Sequence, residues 1–459
     1  MQAGGVDAFL IGSELRGLTR IRSGPGVYPA VAQLATLASD VKAIVGTTTV
    51  VTYGADWTEY GADVVTTDGA EVRFPLDPLW ASPAIDAVGI DYYAPLSDWR
   101  DGALHLDRAQ SGSIYDRGYL RGNVGGGEAY EWYYTNDAAR DAQARSAITD
   151  GLNKPWMFRP KDLVGWWSHA HHERVGGVEL DATAWVPQSK PIWLTELGCP
   201  AVDRGANQPS VFPDPKSSEN FAPYFSNGAR DDLMQRRYLE AVLSAFDPAH
   251  GGSEVLNPVS SVYGGRMLDV SAMHLWTWDS RPYPVFPAAT DIWSDGANWH
   301  TGHWLNGRLG GAPMDALVER LASDSGVTGI DASALRGGCD GYVVDRPMAP
   351  RAMIDPLAAA YAFNATAADG VLRFIPRGGD VVAVLSEDDL VAPEQGALAQ
   401  LVRAQETELP RQVGIGFSDA LADYRRGAVT SRKLVGGANR LLQADLAVIA
   451  SDAAMTQRA

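Results

Sequence analysis

Five short apolar runs, each followed at once by polar or small residues, limit what the chain can fold into before residue 300. They are Asp7 to Ile11 (DAFLI), Lys42 to Gly46 (KAIVG), Asp86 to Ile90 (DAVGI), Pro191 to Thr195 (PIWLT) and Ala272 to Thr277 (AMHLWT). Continuous runs of this length, rich in β-branched and aromatic residues, read as strands buried on both faces, which are parallel strands. Helical stretches fall between them: Pro29 to Asp40, and Asp231 to Phe246 with its acidic start and amphipathic body. Strands alternating with helices give an α/β fold, a parallel sheet with crossover connections. No glycine-rich phosphate loop follows the first run, and the one at Val124 to Tyr130 (VGGGEAY) follows no strand and reads as a turn. A closed TIM-like (β/α)8 barrel is therefore favoured over an open doubly wound sheet.

A closed barrel of this kind needs eight strands. Only a few residues precede the first run, so the reading is a partial barrel in which strands 4–8 are present and three N-terminal strands are missing. Its interior apolar face would be left open, and such a chain is expected to fold poorly alone or to associate. The barrel domain spans 1–305. Near its end Trp and Tyr thin out while Ala, Leu and Arg rise. A linker helix (306–330, with Pro313 to Ser323 helical) leads to an α+β module over 331–459. In that module Pro350 to Phe363 reads as a helix. Gly341 to Asp345, Val371 to Ile375 and Val381 to Leu385 read as short antiparallel strands, the last two joined by a turn at Arg377 to Asp380. The last stretch, Ser451 to Ala459, looks helical and ends without a cap, so this module is expected to be truncated.

Charge narrows the partners. With 38 Lys and Arg against 56 Asp and Glu, the net charge is -18, which argues against nucleic acid and against an anionic membrane surface. No run approaches the roughly 20 apolar residues of a membrane span. The N-terminus lacks a basic region ahead of its short apolar stretch, so synthesis in the cytoplasm without a signal peptide is expected. Two cysteines, Cys199 and Cys339, exclude a disulfide framework and a zinc site, and read as inert thiols.

Two glutamates directly follow predicted strands: Glu14 in Gly12-Ser13-Glu14-Leu15, and Glu196 in Leu194-Thr195-Glu196-Leu197. That register sets both on the C-terminal rim, where barrels carry their chemistry. One such Glu is most often a helix N-terminal residue favoured by the dipole; two, on distant strands, are what glycoside hydrolysis requires. Two long connections, 97–190 and 197–230, belong to the same rim, and the first carries Trp99, Trp132, Tyr133, Tyr134, Trp166 and Trp167. Candidate sugar contacts are Asp91, Tyr92 and Tyr93 after the third run and Trp276, Trp278 and Asp279 at the fifth. The competing reading makes the tryptophans barrel core and Asp91 a partner of Arg16 or Arg20. His169, His171, His172 and Glu173 lack the helical spacing of a zinc site, and Asp203, Asp214, Asp231 and Asp232 do not fit a calcium loop, so neither metal nor cofactor is expected.

The placing of Glu14 and Glu196 resembles the clan A glycoside hydrolases, whose acid/base follows strand four and whose nucleophile follows strand seven. That clan usually has Asn before the first Glu, where this chain has Ser13. A more specific resemblance lies in Val6 to Arg22 (VDAFLIGSELRGLTRIR), Val88 to Gly102 (VGIDYYAPLSDWRDG) and Lys190 to Asp214 (KPIWLTELGCPAVDRGANQPSVFPD). These look like the TIM-barrel-like domain of gene-transfer-agent and phage tail proteins, often described as host-specificity or tail-hub proteins. Gly341 to Pro347 (GYVVDRP) and Leu372 to Gly379 (LRFIPRGG) are similar to the tail module that follows this barrel. The resemblance implies a tail-associated glycoside hydrolase with Glu14 as acid/base and Glu196 as nucleophile in a retaining mechanism. It would act on a cell-envelope glycan, peptidoglycan or a surface polysaccharide, as a phage-like particle enters its host. Its partners would be other tail or baseplate proteins, with a homotrimeric hub as the family's arrangement. The alternative it leaves is a non-catalytic structural or receptor-binding hub component with a degenerate barrel. An ordinary polysaccharidase unrelated to particles fits less well with the C-terminal module.

Overall fold

The computed structural model describes residues 5–456 except 66–69, 103, 379–380, 382, 392–395, 397–400, 404, 420–421, 423, 434–435 and 451. The chain divides into two compact units, Met1–Pro282 with Ala289–Asn306, and Tyr283–Ala288 with Gly307–Ala459.

The first unit is built on five parallel strands: β1 (Ala8–Ser13), β2 (Val50–Asp56), β3 (Val88–Tyr92), β4 (Ile192–Leu197) and β5 (Leu268–Leu275). They lie side by side in chain order, so β1 and β5 are the two edges of an open sheet. Every neighbouring pair is parallel. The central strands are the apolar ones. Val51, Tyr53, Ala55, Val88, Ile90, Ile192 and Leu194 have at most 1% of their surface exposed, and burial of each large aliphatic side chain contributes about 1.5–3 kcal/mol. The helix α1 (Pro29–Val45) joins β1 to β2, and α2 (Asp232–Phe246) lies between β4 and β5. Asp231 caps α2 through Met234 N–H at 2.9 Å.

One expected strand was misplaced. Lys42 to Gly46 is not a strand: α1 continues to Val45 and stops at Gly46, whose φ is 82°. Val31, Leu34 and Ala38 form its buried stripe. Lys42 reaches back from the last turn to Thr49 O (2.7 Å) and the Asp86 carboxylate (2.6 Å). The true second strand begins at Val50, beyond the Thr47-Thr48-Thr49 link.

A four-stranded antiparallel sheet pairs 63–65 and 71–73, from the connection between β2 and β3, with 172–175 and 178–182, from the long connection between β3 and β4. His171 is fully buried there, stacked on Phe74 at 4.4 Å, with Nδ1 on Asp77 and Nε2 on Trp166 O. Glu173 pairs with Arg73 at 2.6 Å, so these groups act in packing. No helix among the described residues is long and apolar enough to cross a membrane.

The second unit is richer in strands than its sequence implied. Helix α3 (Met314–Ser323) is no linker: Met314, Val318 and Ala322 enter the unit's core with Leu357, Phe363, Phe374 and Phe417. Helix α4 (Pro350–Tyr361) precedes a hairpin of β6 (Phe363–Ala368) and β7 (Val371–Pro376). This hairpin turns at Asp369-Gly370, both at positive φ, as a two-residue loop requires. The expected pairing of Val371 to Ile375 with Val381 to Leu385 is thereby replaced; residues 383–385 carry no strand, and Gly379, Asp380 and Val382 lie outside the described residues. Of Gly341 to Asp345, only Gly341–Tyr342 is strand. A larger sheet of β8 (Pro410–Asp419), β9 (Arg425–Arg432) and β10 (Arg440–Ala450) completes the unit, with Gly341–Tyr342 against β10. The expected terminal helix covers Asp452–Thr456; 457–459 lie outside the described residues.

Candidate active site

Glu14 and Glu196 stand one residue past Ser13 and Thr195, whose hydroxyls both donate to Asp91, at 2.7 and 2.6 Å. Asp91 is near the end of β3 and is fully buried. The bond from Ser13 crosses over β2, and Gly54 makes that possible: a Cβ there would lie 3.1 Å from both Asp91 carboxylate oxygens and from Ser13 Oγ. The result is a carboxylate triad in which Glu14, Asp91 and Glu196 each have an oxygen within 4.8 Å of the other two. Ser13 is thus occupied by Asp91 at the position where clan A enzymes usually carry Asn. Asp91 is the partner of neither arginine; Arg20 pairs with Asp63 at 3.1 Å.

The Glu14 backbone is held in the left-handed region at φ 53°, with its N–H on Gly54 O at 2.8 Å. For a residue other than glycine this conformation costs about 1–3 kcal/mol and persists only where the surroundings over-determine it. The surroundings here are visible. Leu15 N–H donates to Tyr53 Oη (2.7 Å), Tyr53 donates to the buried Glu59 (3.0 Å), and Thr19 donates to the same Glu59 oxygen (2.6 Å). This buried network pins the turn that carries Glu14.

Glu14 is open to a cleft of about 430 Å³, lined also by Arg16, Asp56, Trp57, Thr58, Tyr93, Phe212 and Glu219 among others. All lie at the C-terminal ends of β1 to β4 or in the segments that follow them, the rim on which parallel sheets present their ligands. Glu196 is half-buried beside it and accepts a 2.5 Å hydrogen bond from Tyr93 Oη. Neither glutamate is ion-paired among the described residues. Reduced solvation, then the charges of Asp91 and Glu196, push the Glu14 carboxyl up to about 8 although its side chain meets solvent. Burial and Asp91 push Glu196 up to about 7, against the lowering hydrogen bond from Tyr93. Burial likewise raises Asp91.

Of the expected sugar contacts, Tyr93 alone lines this cleft. Tyr92 is fully buried and packs inward. Trp276 follows β5 and is 38% exposed, its N–H on Leu197 O at 2.8 Å, and Trp278 is 71% exposed. Asp279 is committed to Arg281 (2.6 Å) and to Trp304 Nε1 (3.0 Å). Trp166 and Trp167 are buried, and Trp132 stacks under Arg145, so much of the aromatic supply is structural. Asp231 caps α2, Asp232 pairs with Arg230, and Asp203 and Asp214 accept backbone N–H groups. Sequence reasoning missed Asp56, Trp57, Thr58 and Phe212. Phe212 and Glu219 lay within the long 197–230 connection already marked as rim; Asp56, Trp57 and Thr58 were hidden by the misplaced second strand.

Residues 1–287 match the model of the GTA TIM-barrel-like domain family. The chain belongs to that family. Residues 349–459 of this GTA TIM-barrel-like protein also match a family described as "Putative phage tail protein". Among solved structures, a chain of the "Virion of native gene transfer agent (GTA) particle" is similar at 32% identity and a TM-score of 0.35. The match covers 36% of this chain and 38% of that one, well under two thirds of its length. No curated protein matches.

Proposed function

We propose that the first unit is a retaining glycoside hydrolase and that the chain works as a tail component of a gene-transfer-agent-like particle, cutting a cell-envelope glycan. The observation that carries the chemistry is the gap between Glu14 and Glu196, whose nearest carboxylate oxygens lie within 4.8 Å. Oxygens that close suit the roughly 5–5.5 Å carboxyl pair of retaining enzymes better than the roughly 6.5–9.5 Å pair that leaves room for an inverting water. In the first step Glu14 donates its proton to the glycosidic oxygen as the C1–O bond breaks, and a Glu196 oxygen bonds to C1. In the second, Glu14 takes a proton from water, the water oxygen bonds to C1, and the bond to Glu196 breaks. The higher proton affinity of Glu14 supports its part as acid, and the Tyr93 hydroxyl supports an ionised Glu196. The phage-tail match of the C-terminal residues supports the particle setting.

The test is release of new reducing ends from purified peptidoglycan and from bacterial surface polysaccharide. Glu196→Gln is expected to lower kcat by about 10²–10⁴-fold. Glu14→Gln should do so for natural glycans yet far less for aryl glycosides whose leaving group needs no proton. Both variants retaining full activity would sink the mechanism. A wild type inactive on every glycan tried, yet binding them, would favour a receptor-binding hub component instead.

A further inference from the structure

Trp57 and Thr58 also line a second cavity of about 80 Å³, together with Tyr60, Gly61, Trp156, Phe158, Arg159 and Trp166 among others. Trp57 and Thr58 line both spaces, so the cavity adjoins the carboxylate site. Five of its twelve lining residues are aromatic, and Thr58 and Arg159 are polar. Tyr60 packs edge-on against Trp166 with centroids 5.1 Å apart. Two donors of the cavity lining are left over: the Trp166 indole N–H and Arg159 Nε are buried and have no hydrogen-bond partner among the described residues. Trp166 is only 2% exposed, and a buried donor without an acceptor is costly. The space is well above the roughly 10–15 Å³ that a single water needs. Gly61 stands at the indole edge. A Cβ there would meet Trp166 Cδ1 at 3.4 Å and Nε1 at 3.7 Å, with nothing else within 4 Å.

We propose that this cavity is a subsite for an acetyl substituent on a sugar bound in the cleft, its methyl against the aromatic walls and its carbonyl oxygen accepting from Trp166 Nε1. Bare sugar hydroxyls bring donors as well as acceptors and no apolar surface, so they poorly suit a partly aromatic cavity whose unpartnered polar groups, Trp166 Nε1 and Arg159 Nε, are donors. An acetyl group combines one methyl with one acceptor. The inference deepens the glycan reading of the adjoining cleft and rests on it, but its test reads binding rather than cleavage, so the two can fail separately.

The experiment is calorimetric titration of the full chain with triacetylchitotriose, cellotriose and mono-O-acetylated cellotriose. Triacetylchitotriose is expected to bind about tenfold or more tightly than cellotriose, the discrimination a buried methyl and one hydrogen bond provide. The O-acetylated sugar decides whether an amide or an ester supplies the acetyl group. Gly61→Val, which fills the cavity, should bring triacetylchitotriose to within about twofold of cellotriose, as a lost acetyl contact requires. Where that variant melts early, Gly61→Ala serves, since its methyl meets the indole edge at ordinary contact distance. Equal binding of acetylated and plain sugars, no binding of any, or a preference that survives both Gly61 variants overturns the proposal.

Discussion

Glu14 and Glu196 differ in proton affinity because their neighbours differ. Glu14 feels Asp91, Glu196, Asp56 and Glu219 on top of its reduced solvation, whereas Glu196 feels burial and Asp91, offset by Tyr93. The proposed chemistry needs Glu196 ionised and Glu14 protonated. Activity should therefore rise as pH passes through about 7 and fall as it passes through about 8, a narrow bell in kcat/KM. Asp91→Asn removes a negative neighbour of both groups, so both limbs should move about 1 pH unit lower. Tyr93→Phe removes the donor that favours the Glu196 carboxylate and should move the rising limb up, leaving the falling limb nearly in place. A pH profile unchanged by Asp91→Asn would contradict this account. The two glutamates were legible in the sequence because each lies at the C-terminal end of an apolar run, Glu14 just past β1 and Glu196 in the last two residues of β4. Asp91 was legible only as a position; its role as the shared acceptor of Ser13 and Thr195 depends on contacts across 78 and 104 residues, which no local pattern encodes.

At the scale of elements, the sheet's central strands leave little room. Gly89 on β3 is packed so closely that a Cβ would come within 2.3 Å of Tyr53 O on β2. Backbone cannot yield as a side-chain end can, so Gly89→Ala is expected to cost about 3 kcal/mol or more, read as a lower urea midpoint with the slope unchanged. An unchanged midpoint would mean that the strands separate more readily than their packing implies. The same density made four of the five strands legible as apolar runs. β2 was not, because Ala43, Ile44 and Val45 fit a helix end as well as a strand, and periodicity cannot separate the two over so few residues. The strands β8 to β10 escaped because many of their side chains are exposed and polar, Arg425, Arg426 and Gln443 among them. The Asp369-Gly370 turn is a stronger hairpin signal than the Arg377 to Asp380 stretch.

Over the molecule as a whole, five parallel strands in chain order leave two edges, and among the described residues neither β1 nor β5 has a further strand beside it. Leu10 on β1 is 44% exposed and Val270 on β5 is 38% exposed. Unpaired edges bearing apolar side chains template pairing with other chains, against which the net charge of -18 provides repulsion. The chain is expected to self-associate as concentration rises, more so in high salt, where that repulsion is screened; light scattering of a monodisperse monomer at every concentration and salt level would refute it. The span from Ser13 over Gly54 to Asp91 and on to Thr195 lies wholly within β1 to β4. It works as a gauge block between two jaws: one buried acid, touched from either side, sets how far apart the following glutamates stand. Whatever covers the outer edges of the sheet, the width of that gap is already fixed from within.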